Sequence, residues 1–198
     1  MKNPVIGLIL VAALAAVTGC SKKEPDQRQQ APPELRTQTA PAHSTGEPAV
    51  AGIRWVVPQG WAEQPPRQMR FTTYMTQPAH GDAEGAECAV FFFGSGQGGS
   101  VQDNIDRWVN QFENATDTRR SEKEVNGLKV SLVQVNGTYV GMTGPMMGSG
   151  EKKSNYTLLG AIVEAPQGMV FFKLTGPKAT VASVEGAYNT LLGSLQKE

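Results

Sequence analysis

The sequence predicts an α+β fold: an antiparallel sheet of about six to seven strands with two packed helices, preceded by a flexible segment. Three observations lead to this prediction. Short apolar segments are joined by turn signals, two stretches have helical apolar periodicity, and a proline-rich polar stretch holds almost no large apolar residue. The expected organisation is a signal over residues 1–19, a tether over 20–50 and one α+β domain over 51–198.

The first twenty residues have the form of a secretory signal. Lys2 gives a small positive region, and the apolar stretch 5–17 is too short to span a bilayer. The run Val17-Thr18-Gly19-Cys20 resembles the lipobox of bacterial lipoproteins. The resemblance implies cleavage after residue 19, a thioether from the Cys20 sulfur to diacylglycerol, and acylation of the new amino terminus with a fatty acid such as palmitate.

This modification would place the protein in the cell envelope. Two or more acyl chains anchor a protein stably, whereas one chain holds it only marginally. Ser21 follows the cysteine where an aspartate would otherwise stand, which resembles lipoproteins of the outer membrane that face the periplasm in a Gram-negative cell. The alternative is an ordinary cleaved signal that releases a soluble protein with a spare cysteine.

Composition excludes an electrostatic partner such as nucleic acid. After removal of residues 1–19, the chain has 17 basic and 18 acidic side chains, a formal charge of −1. With Cys20 lipidated, Cys88 has no internal disulfide partner and lies in an apolar run, so we expect a buried, inert thiol. The expected partners are the membrane, through the lipid on Cys20, and a protein of the envelope.

The stretch between the anchor and the domain cannot form a core. Residues 21–49 contain five prolines, several glutamines and charges, and Leu35 as the only large aliphatic side chain. Such a segment spans between about 30 Å as a coil and about 90 Å as a polyproline strand. We expect it to hold the domain away from the membrane.

Strands and one helix are predicted in the first half of the domain. Residues 53–57, 69–76 and 86–93 have strand patterns. Ser100 can then cap a helix, whose apolar stripe consists of Val101, Ile105, Trp108, Val109 and Phe112.

Hairpins and a final helix are predicted in the second half. Asn126-Gly127 and Asn136-Gly137 favour two-residue turns, and Pro166-Gln167-Gly168 marks another turn. The strands would be residues 128–135, 138–142, 154–165 and 169–174. Pro177 opens the last helix, whose apolar face consists of Val181, Val184, Tyr188, Leu191, Leu192 and Leu195.

This order of elements resembles the PsbP-like and Mog-like domains. The resemblance covers residues 50–198 and includes two short runs, Pro58-Gln59-Gly60-Trp61 and Leu191-Leu192-Gly193-Ser194-Leu195. Members of that fold are mostly accessory or partner-binding modules and not enzymes. The resemblance therefore implies a non-enzymatic module without a cofactor.

One glycine motif invites a nucleotide-binding interpretation. Residues 94–99 read G-x-G-x-x-G between a predicted strand and a predicted helix. A dinucleotide site also needs a parallel second strand with an acidic residue near its end, whereas the next strand ends in Asn136 before a predicted hairpin. We therefore expect a connection into a capped helix.

A methionine-rich segment is a second candidate site. Met142, Met146 and Met147 are three of the seven methionines and fall within six positions. Thioethers bind Cu(I), and His80 or Cys88 could complete such a site. Methionines also form adaptable apolar surface, so a partner contact or plain packing are the alternatives, and we predict no metal site.

Catalytic constellations are sparse in this sequence. Beyond the tether there is one histidine, His80, and no G-x-S-x-G or H-E-x-x-H motif occurs. We predict no catalytic residues and a lipid-anchored accessory or binding module. The alternatives are an envelope hydrolase that uses His80 and a metal-binding lipoprotein that uses the three methionines.

Overall fold

The computed structural model describes residues 47–79, 81–141 and 151–198. Within these ranges the α+β class is confirmed, with two helices and ten strands. The elements in chain order are β1 (Ala49–Val50), β2 (Ile53–Arg54), β3 (Ala62–Glu63), β4 (Thr72–Met75), β5 (Glu87–Phe92), α1 (Val101–Val109), β6 (Phe112–Val125), β7 (Leu128–Tyr139), β8 (Lys153–Ala165), β9 (Gly168–Pro177), α2 (Lys178–Gly193) and β10 (Gln196–Lys197).

Seven strands form one antiparallel sheet in the order β3-β4-β5-β9-β8-β7-β6. Its hairpins use the predicted two-residue turns at two places. Asn126 and Gly127 join β6 to β7 with φ angles of 49° and 76°, as a two-residue turn with positive φ requires. Ala165 pairs with Gly168 across the turn between β8 and β9. These two turns therefore set the register of the β6–β7 and β8–β9 pairs locally.

The second Asn-Gly pair is not a turn, so the hairpin predicted at Asn136-Gly137 is wrong. Both residues lie inside β7, where Asn136 pairs with Thr157 and Gly137 pairs with Tyr156. The Asn136 side chain accepts a hydrogen bond of 2.6 Å from Thr157 Oγ1, so its polar group is satisfied within the sheet. A Cβ on Gly137 would lie 2.8 Å from the Glu113 carbonyl oxygen. This glycine thus permits close backbone approach at an irregular stretch of β6.

Each face of the sheet carries a buried core, and each core includes one helix. On one face, α2 contributes Val181, Tyr188, Leu191 and Leu192 to a core that includes Trp55 and Phe172. On the other face, α1 contributes Ile105 and Trp108 to a smaller core that includes Phe171. Successive residues of a strand face opposite sides, which explains why Phe171 and Phe172 belong to different cores.

The first helix is held by its cap and by one close packing contact. Ser100 Oγ accepts a 3.1 Å hydrogen bond from the Asp103 N–H, as predicted for the N-cap. The helix ends earlier than its predicted stripe, and Phe112 instead begins β6 while still packing in the same core. The Trp108 ring lies directly over Gly160 of β8, where a larger residue would not fit.

The second helix begins after Pro177, as predicted, and is capped from a distant loop. Asp82 Oδ2 accepts hydrogen bonds from the Thr180 N–H at 2.9 Å and from Thr180 Oγ1 at 2.6 Å. The Ala79 N–H donates to the same hydroxyl at 2.9 Å. A carboxylate at a helix N-terminus also interacts favourably with the helix dipole. The loop before β5 is thereby fixed to α2.

A small three-stranded sheet joins the beginning and end of the domain. Its order is β1-β2-β10, so both outer strands pair with β2. Arg54 of β2 contacts Glu47 at 2.8 Å and donates to Gln196 Oε1 at 2.7 Å. The Val56 N–H donates to Ser194 Oγ at 2.9 Å. The C-terminus is therefore fastened next to the point where the described chain begins.

Two further observations concern predicted features of the described residues. Cys88 is fully buried, as predicted, and burial raises the pKa of its thiol. No helix in the described ranges is long and apolar enough to cross a bilayer.

The contact between Trp108 and Gly160 predicts a strong effect of a single methyl group. A Cβ on Gly160 would lie 2.4 Å from Trp108 Cζ3 and 2.8 Å from Val133 Cγ1. We expect Gly160→Ala to lower the free energy of unfolding by roughly 1–3 kcal/mol, because overpacking forces rotamer and backbone shifts. Urea denaturation followed by tryptophan fluorescence measures this change.

Gly186→Ala is the matched control for this substitution. Gly186 lies on the exposed side of α2, with no heavy atom within 4 Å of a built Cβ. Alanine is favoured over glycine in a helix interior by about 1 kcal/mol, so this variant should gain stability. Equal denaturation midpoints for Gly160→Ala and the wild type would contradict the packing described for Trp108.

Candidate functional site

A polar pocket lies beside α1, on the sheet face that α1 covers in part. Its floor is formed by alternate residues of β5 and β9, with a volume of about 220 Å³. The register places Ala89 opposite Lys173 and Glu87 opposite Thr175. The residues that line it are Arg70, Met75, Glu84, Gly85, Glu87, Ala89, Phe91, Tyr139, Lys153, Tyr156, Lys173 and Thr175.

Lys173 is the cation at the floor of this pocket. Its ammonium donates to Gln111 Oε1 at 2.5 Å and to the Tyr139 hydroxyl at 3.4 Å, and it lies 5.3 Å from the centre of the Tyr139 ring. Both acceptors are neutral. Among the described residues, no carboxylate lies within ion-pair distance of Lys173.

The surroundings of Lys173 disfavour its charge. Burial lowers the pKa of this amine from 10.5 to about 8. The nearby carboxylate of Glu87 opposes this effect, while the guanidinium of Arg70 adds to it. Near neutral pH the side chain is therefore a charged group held in an unfavourable environment.

Thr175 provides a second polar side chain on the lining of the pocket. It follows Lys173 by two residues on β9, so both side chains are on the same face of the sheet. Its Oγ1 is buried and has no hydrogen-bond partner among the described residues. A buried hydroxyl without a partner is uncommon in folded proteins and needs an explanation.

Glu87 joins two arginines along one side of the pocket. Its carboxylate lies 2.8 Å from Arg70 Nη1 and 2.9 Å from Arg67 Nη1. Arg70 also donates to Thr73 Oγ1 at 3.2 Å, and its guanidinium lies 5.8 Å from the centre of the Phe91 ring. Arg70 is thus fixed in position, and the Glu87 carboxylate partly neutralises its charge.

Glu84 joins two residues of β8 along the opposite side. Lys153 Nζ lies 2.8 and 2.7 Å from the two Glu84 carboxylate oxygens, and the Tyr156 hydroxyl donates to the same carboxylate. Hydrogen bonds from Lys153 and Tyr156 lower the pKa of Glu84, and the bond to Glu84 raises that of Lys153. Burial, together with the bond to Glu84, raises the pKa of Tyr156 to about 12.

Aromatic rings line the side of the pocket next to Lys173. The rings of Tyr139 and Tyr156 are nearly parallel, at 10°, with centres 6.0 Å apart. Phe112 packs on Tyr139 with ring centres 5.3 Å apart. Burial raises the pKa of Tyr139 above its ordinary value. These contacts fix the ring over which the Lys173 ammonium lies.

The charges that line the pocket leave one positive charge in excess. Arg70, Lys153 and Lys173 are the cations, and Glu84 and Glu87 are the carboxylates. Arg70 and Lys153 each have a carboxylate partner within 3 Å. Among the described residues, Lys173 is the cation of the pocket that has only neutral partners. The arrangement can therefore attract and hold an anionic group.

The glycine-rich segment 94–99 serves as a connection into α1. Gly94, Gly96, Gly98 and Gly99 all have positive φ angles, between 69° and 100°. The first turn of α1 is already occupied: Ser100 caps it, and the Asn104 side-chain amide donates to the Gly98 and Ser100 carbonyl oxygens. All strand pairs in the described residues are antiparallel, which agrees with rejecting a dinucleotide fold.

Several predicted site residues lie outside the described residues. These are the lipid attachment residue Cys20, the methionines Met142, Met146 and Met147, and His80. The anchor, the methionine surface and the two alternative activities therefore stay predictions. In the described ranges, no group of three or more histidine, cysteine, aspartate or glutamate side chains could hold a metal ion.

The pocket residues were missed by reasoning from the sequence, although one signal was present. Lys173 is a single charge within the apolar run 169–174, Met-Val-Phe-Phe-Lys-Leu. A charged residue at an interior position of a buried strand is costly and therefore suggests a site. The other pocket residues come from separated segments, and only the sheet register brings them together.

Comparisons with known proteins give structural similarities but no family. No protein-family model matches the chain, and no curated protein matches it. Cyanobacterial PsbP from Synechocystis sp. PCC 6803 is 11% identical, with 80% of this chain and 99% of that one covered and a TM-score of 0.47. A protein of unknown function from Pseudomonas aeruginosa, suggested to be a regulator, is 16% identical, with 62% and 78% covered and a TM-score of 0.42. At these levels neither similarity bears on function.

The lowered pKa of Lys173 predicts how stability depends on pH. Between pH 8 and 10.5 the folded protein has lost this proton while the unfolded chain retains it, so the free energy of unfolding rises with pH. The contribution is at most about 1.4 kcal/mol per pH unit. The Lys173→Met variant has no amine at this position and therefore lacks this pH-dependent contribution. We expect the wild type to gain stability relative to this variant as pH increases through this window, in urea denaturation at a series of pH values.

Lys152→Met is the control for this pH series. Lys152 is exposed and paired with Glu113 at 2.8 Å, outside the pocket. This variant should keep the pH dependence of the wild type. Parallel stability curves for the wild type and Lys173→Met would contradict the buried, strained ammonium described above.

Proposed function

We propose that the chain is a lipid-anchored, non-enzymatic binding module of the cell envelope, and that the pocket around Lys173 is its recognition site. The lipobox at Cys20 supports the anchor, and the tether supports a domain that is held away from the membrane surface. The observation that carries the recognition site is the Lys173 ammonium, a half-buried cation in an open pocket with only neutral partners among the described residues.

The fixed geometry of the pocket supports binding. Its two carboxylates are each engaged by a cation, Glu87 by Arg70 and Glu84 by Lys153. These pairs position the walls before a ligand arrives, so less ordering is needed on association. A pocket whose charged walls are held by internal pairs, with one cation left for a ligand, suits recognition.

If Cys20 carries the lipid anchor, its replacement should change where the protein is found in the cell. We expect the wild type in the membrane fraction with an acylated amino terminus, and Cys20→Ala without lipid and released by salt washing. Cell fractionation and mass spectrometry of the amino-terminal peptide measure both properties. Cys88→Ala is the control, because Cys88 is buried within the sheet and should not affect lipidation. A wild-type amino-terminal peptide that carries no lipid would refute the anchor.

The recognition site predicts that envelope contacts depend on Lys173. We expect crosslinking in intact envelopes to recover a partner or ligand stoichiometrically with the wild type and with Lys152→Met, and to lose it with Lys173→Met. Quantitative mass spectrometry compares the three forms. Identical recovery from all three would show that the pocket is not the recognition site.

A further inference from the structure

We infer that the group recognised by this pocket is a carboxylate, held by the Lys173 ammonium with Thr175 Oγ1 as a second donor. This inference rests on the proposed function, since it specifies the chemistry of the same site. The carboxylate can belong to a small organic acid or to the free C-terminus of a protein. Both sources share the chemistry argued below, and the experiment separates them.

Among the described residues, Lys173 donates hydrogen bonds to neutral acceptors. Gln111 Oε1 and the Tyr139 hydroxyl are neutral, at 2.5 and 3.4 Å. A carboxylate would add charge–charge attraction to the hydrogen bond with this ammonium, which a neutral acceptor does not provide. The partial burial of Lys173 strengthens such a pair further, because the local dielectric is low. A bound carboxylate therefore interacts more favourably with the Lys173 ammonium than a water molecule at the same position does.

Thr175 can provide a second hydrogen-bond donor to the same anion. Its Oγ1 is buried with no hydrogen-bond partner among the described residues, on the same face of β9 as Lys173. A carboxylate has two oxygens and can accept from both residues at once. The bound anion would satisfy a hydroxyl whose burial is otherwise unfavourable.

Charge distinguishes a carboxylate from a phosphate. The lining residues carry one net positive charge, which matches a monoanion. The Glu87 carboxylate is fixed close by, 2.8 Å from Arg70, so Arg70 is not free for two-pronged phosphate binding. Arg67 and Arg70 are both engaged by Glu87, and a second negative charge on the ligand would be repelled by that carboxylate. A singly charged carboxylate is the anion that fits.

Size and wall chemistry narrow the ligand further. A volume of about 220 Å³ corresponds to roughly seven water molecules at their share of liquid volume. Pockets for drug-sized ligands are larger, at about 300–1,000 Å³. The rings of Phe91, Tyr139 and Tyr156 provide apolar wall next to the cation. A small acid with a flat or apolar body, or one terminal residue of a chain, fits these dimensions.

Binding of a carboxylate should depend on pH through Lys173. The pKa of this amine is about 8, so its charged fraction decreases above that pH. Around it, the pKa values of Tyr139 and Tyr156 are raised, that of Lys153 is raised and that of Glu84 is lowered. Arg70 and Glu87 are salt-bridged to each other. We expect affinity to fall roughly ten-fold between pH 7 and 9, as the protonated fraction falls from about nine-tenths to one-tenth.

The test uses the full-length chain in detergent and calorimetric titration with defined probes. Benzoate is the small acid, and benzamide is its neutral counterpart of the same shape. We expect benzoate to bind at least ten-fold more tightly than benzamide. Lys173→Met should weaken benzoate at least ten-fold, while Thr175→Val should weaken it roughly three- to ten-fold through loss of one hydrogen bond. Lys152→Met should bind as the wild type does.

A pair of peptides identifies the source of the carboxylate. A short peptide with a free C-terminus is compared with the same peptide amidated. If the free peptide displaces benzoate and the amidated one does not, the carboxylate of a chain terminus is the ligand chemistry. If benzoate binds and neither peptide competes, the ligand is a free small acid. Both results support the inference.

Other outcomes would overturn the inference, and they are distinguishable from failure of the proposed function. Equal binding of benzoate and benzamide, or of benzoate to wild type and Lys173→Met, refutes carboxylate recognition. So does the absence of binding by benzoate and by the free peptide up to about 10 mM. If crosslinking in envelopes still depends on Lys173 in these cases, the recognition site stands and its ligand belongs to another class. If crosslinking is also independent of Lys173, the proposed recognition site fails as well.

Discussion

The central position of β9 is the constraint on which the rest of the structure depends. This strand is hydrogen-bonded to β5 on one side and to β8 on the other, and its apolar side chains contribute to the cores on both faces of the sheet. On one face, α2 packs on β9 and β8. On the other face, α1 packs mainly on β6, β7 and β8, and its Trp108 ring contacts Phe171 of β9. Lys173 and Thr175 follow Phe171 on the same face of β9 and line the pocket.

The same constraint explains why the pocket is both costly and ordered. Lys173 is held partly buried by a strand that cannot move without disturbing two cores. Its neighbours are fixed by their own pairs, Arg70 with Glu87 and Lys153 with Glu84. Natural proteins often retain such unfavourable groups where function requires them, at the expense of stability. The pocket is therefore part of the framework and not an addition to its surface.

Much of the fold could be predicted because its signals are local. The N-cap at Ser100, the turn at Asn126-Gly127 and the apolar face of α2 each depend on residues close together in sequence. The error at Asn136-Gly137 has a physical reason: the same dipeptide is accommodated in a long strand when Asn136 bonds to Thr157 and the neighbouring backbone approaches the glycine closely. Local sequence does not reveal these distant contacts.

The pocket could not be predicted for a related reason. Its charged residues lie in four separate segments, around Arg70, Glu84–Glu87, Lys153 and Lys173. Lys173 is marked by the apolar run around it, but the other charges resemble ordinary surface charges, and only strand register brings them together with Lys173. The short strands β1, β3 and β10 were missed because two residues give no periodicity. Sequence thus showed the elements, and their three-dimensional arrangement produced the site.

The small sheet at the chain ends has a mechanical consequence for a protein attached to a membrane. A pull transmitted from an anchor at Cys20 would arrive at Glu47 and Pro48, where Arg54 holds Glu47 and the Trp55 N–H donates to the Pro48 carbonyl at 3.2 Å. From β2 the load passes to β10 and, through Val56 and Ser194, to the end of α2. Tension would thus be borne by the small sheet and the last helix before it reached β9. In a protein anchored at Cys20, the pocket on β9 would therefore be shielded from such tension.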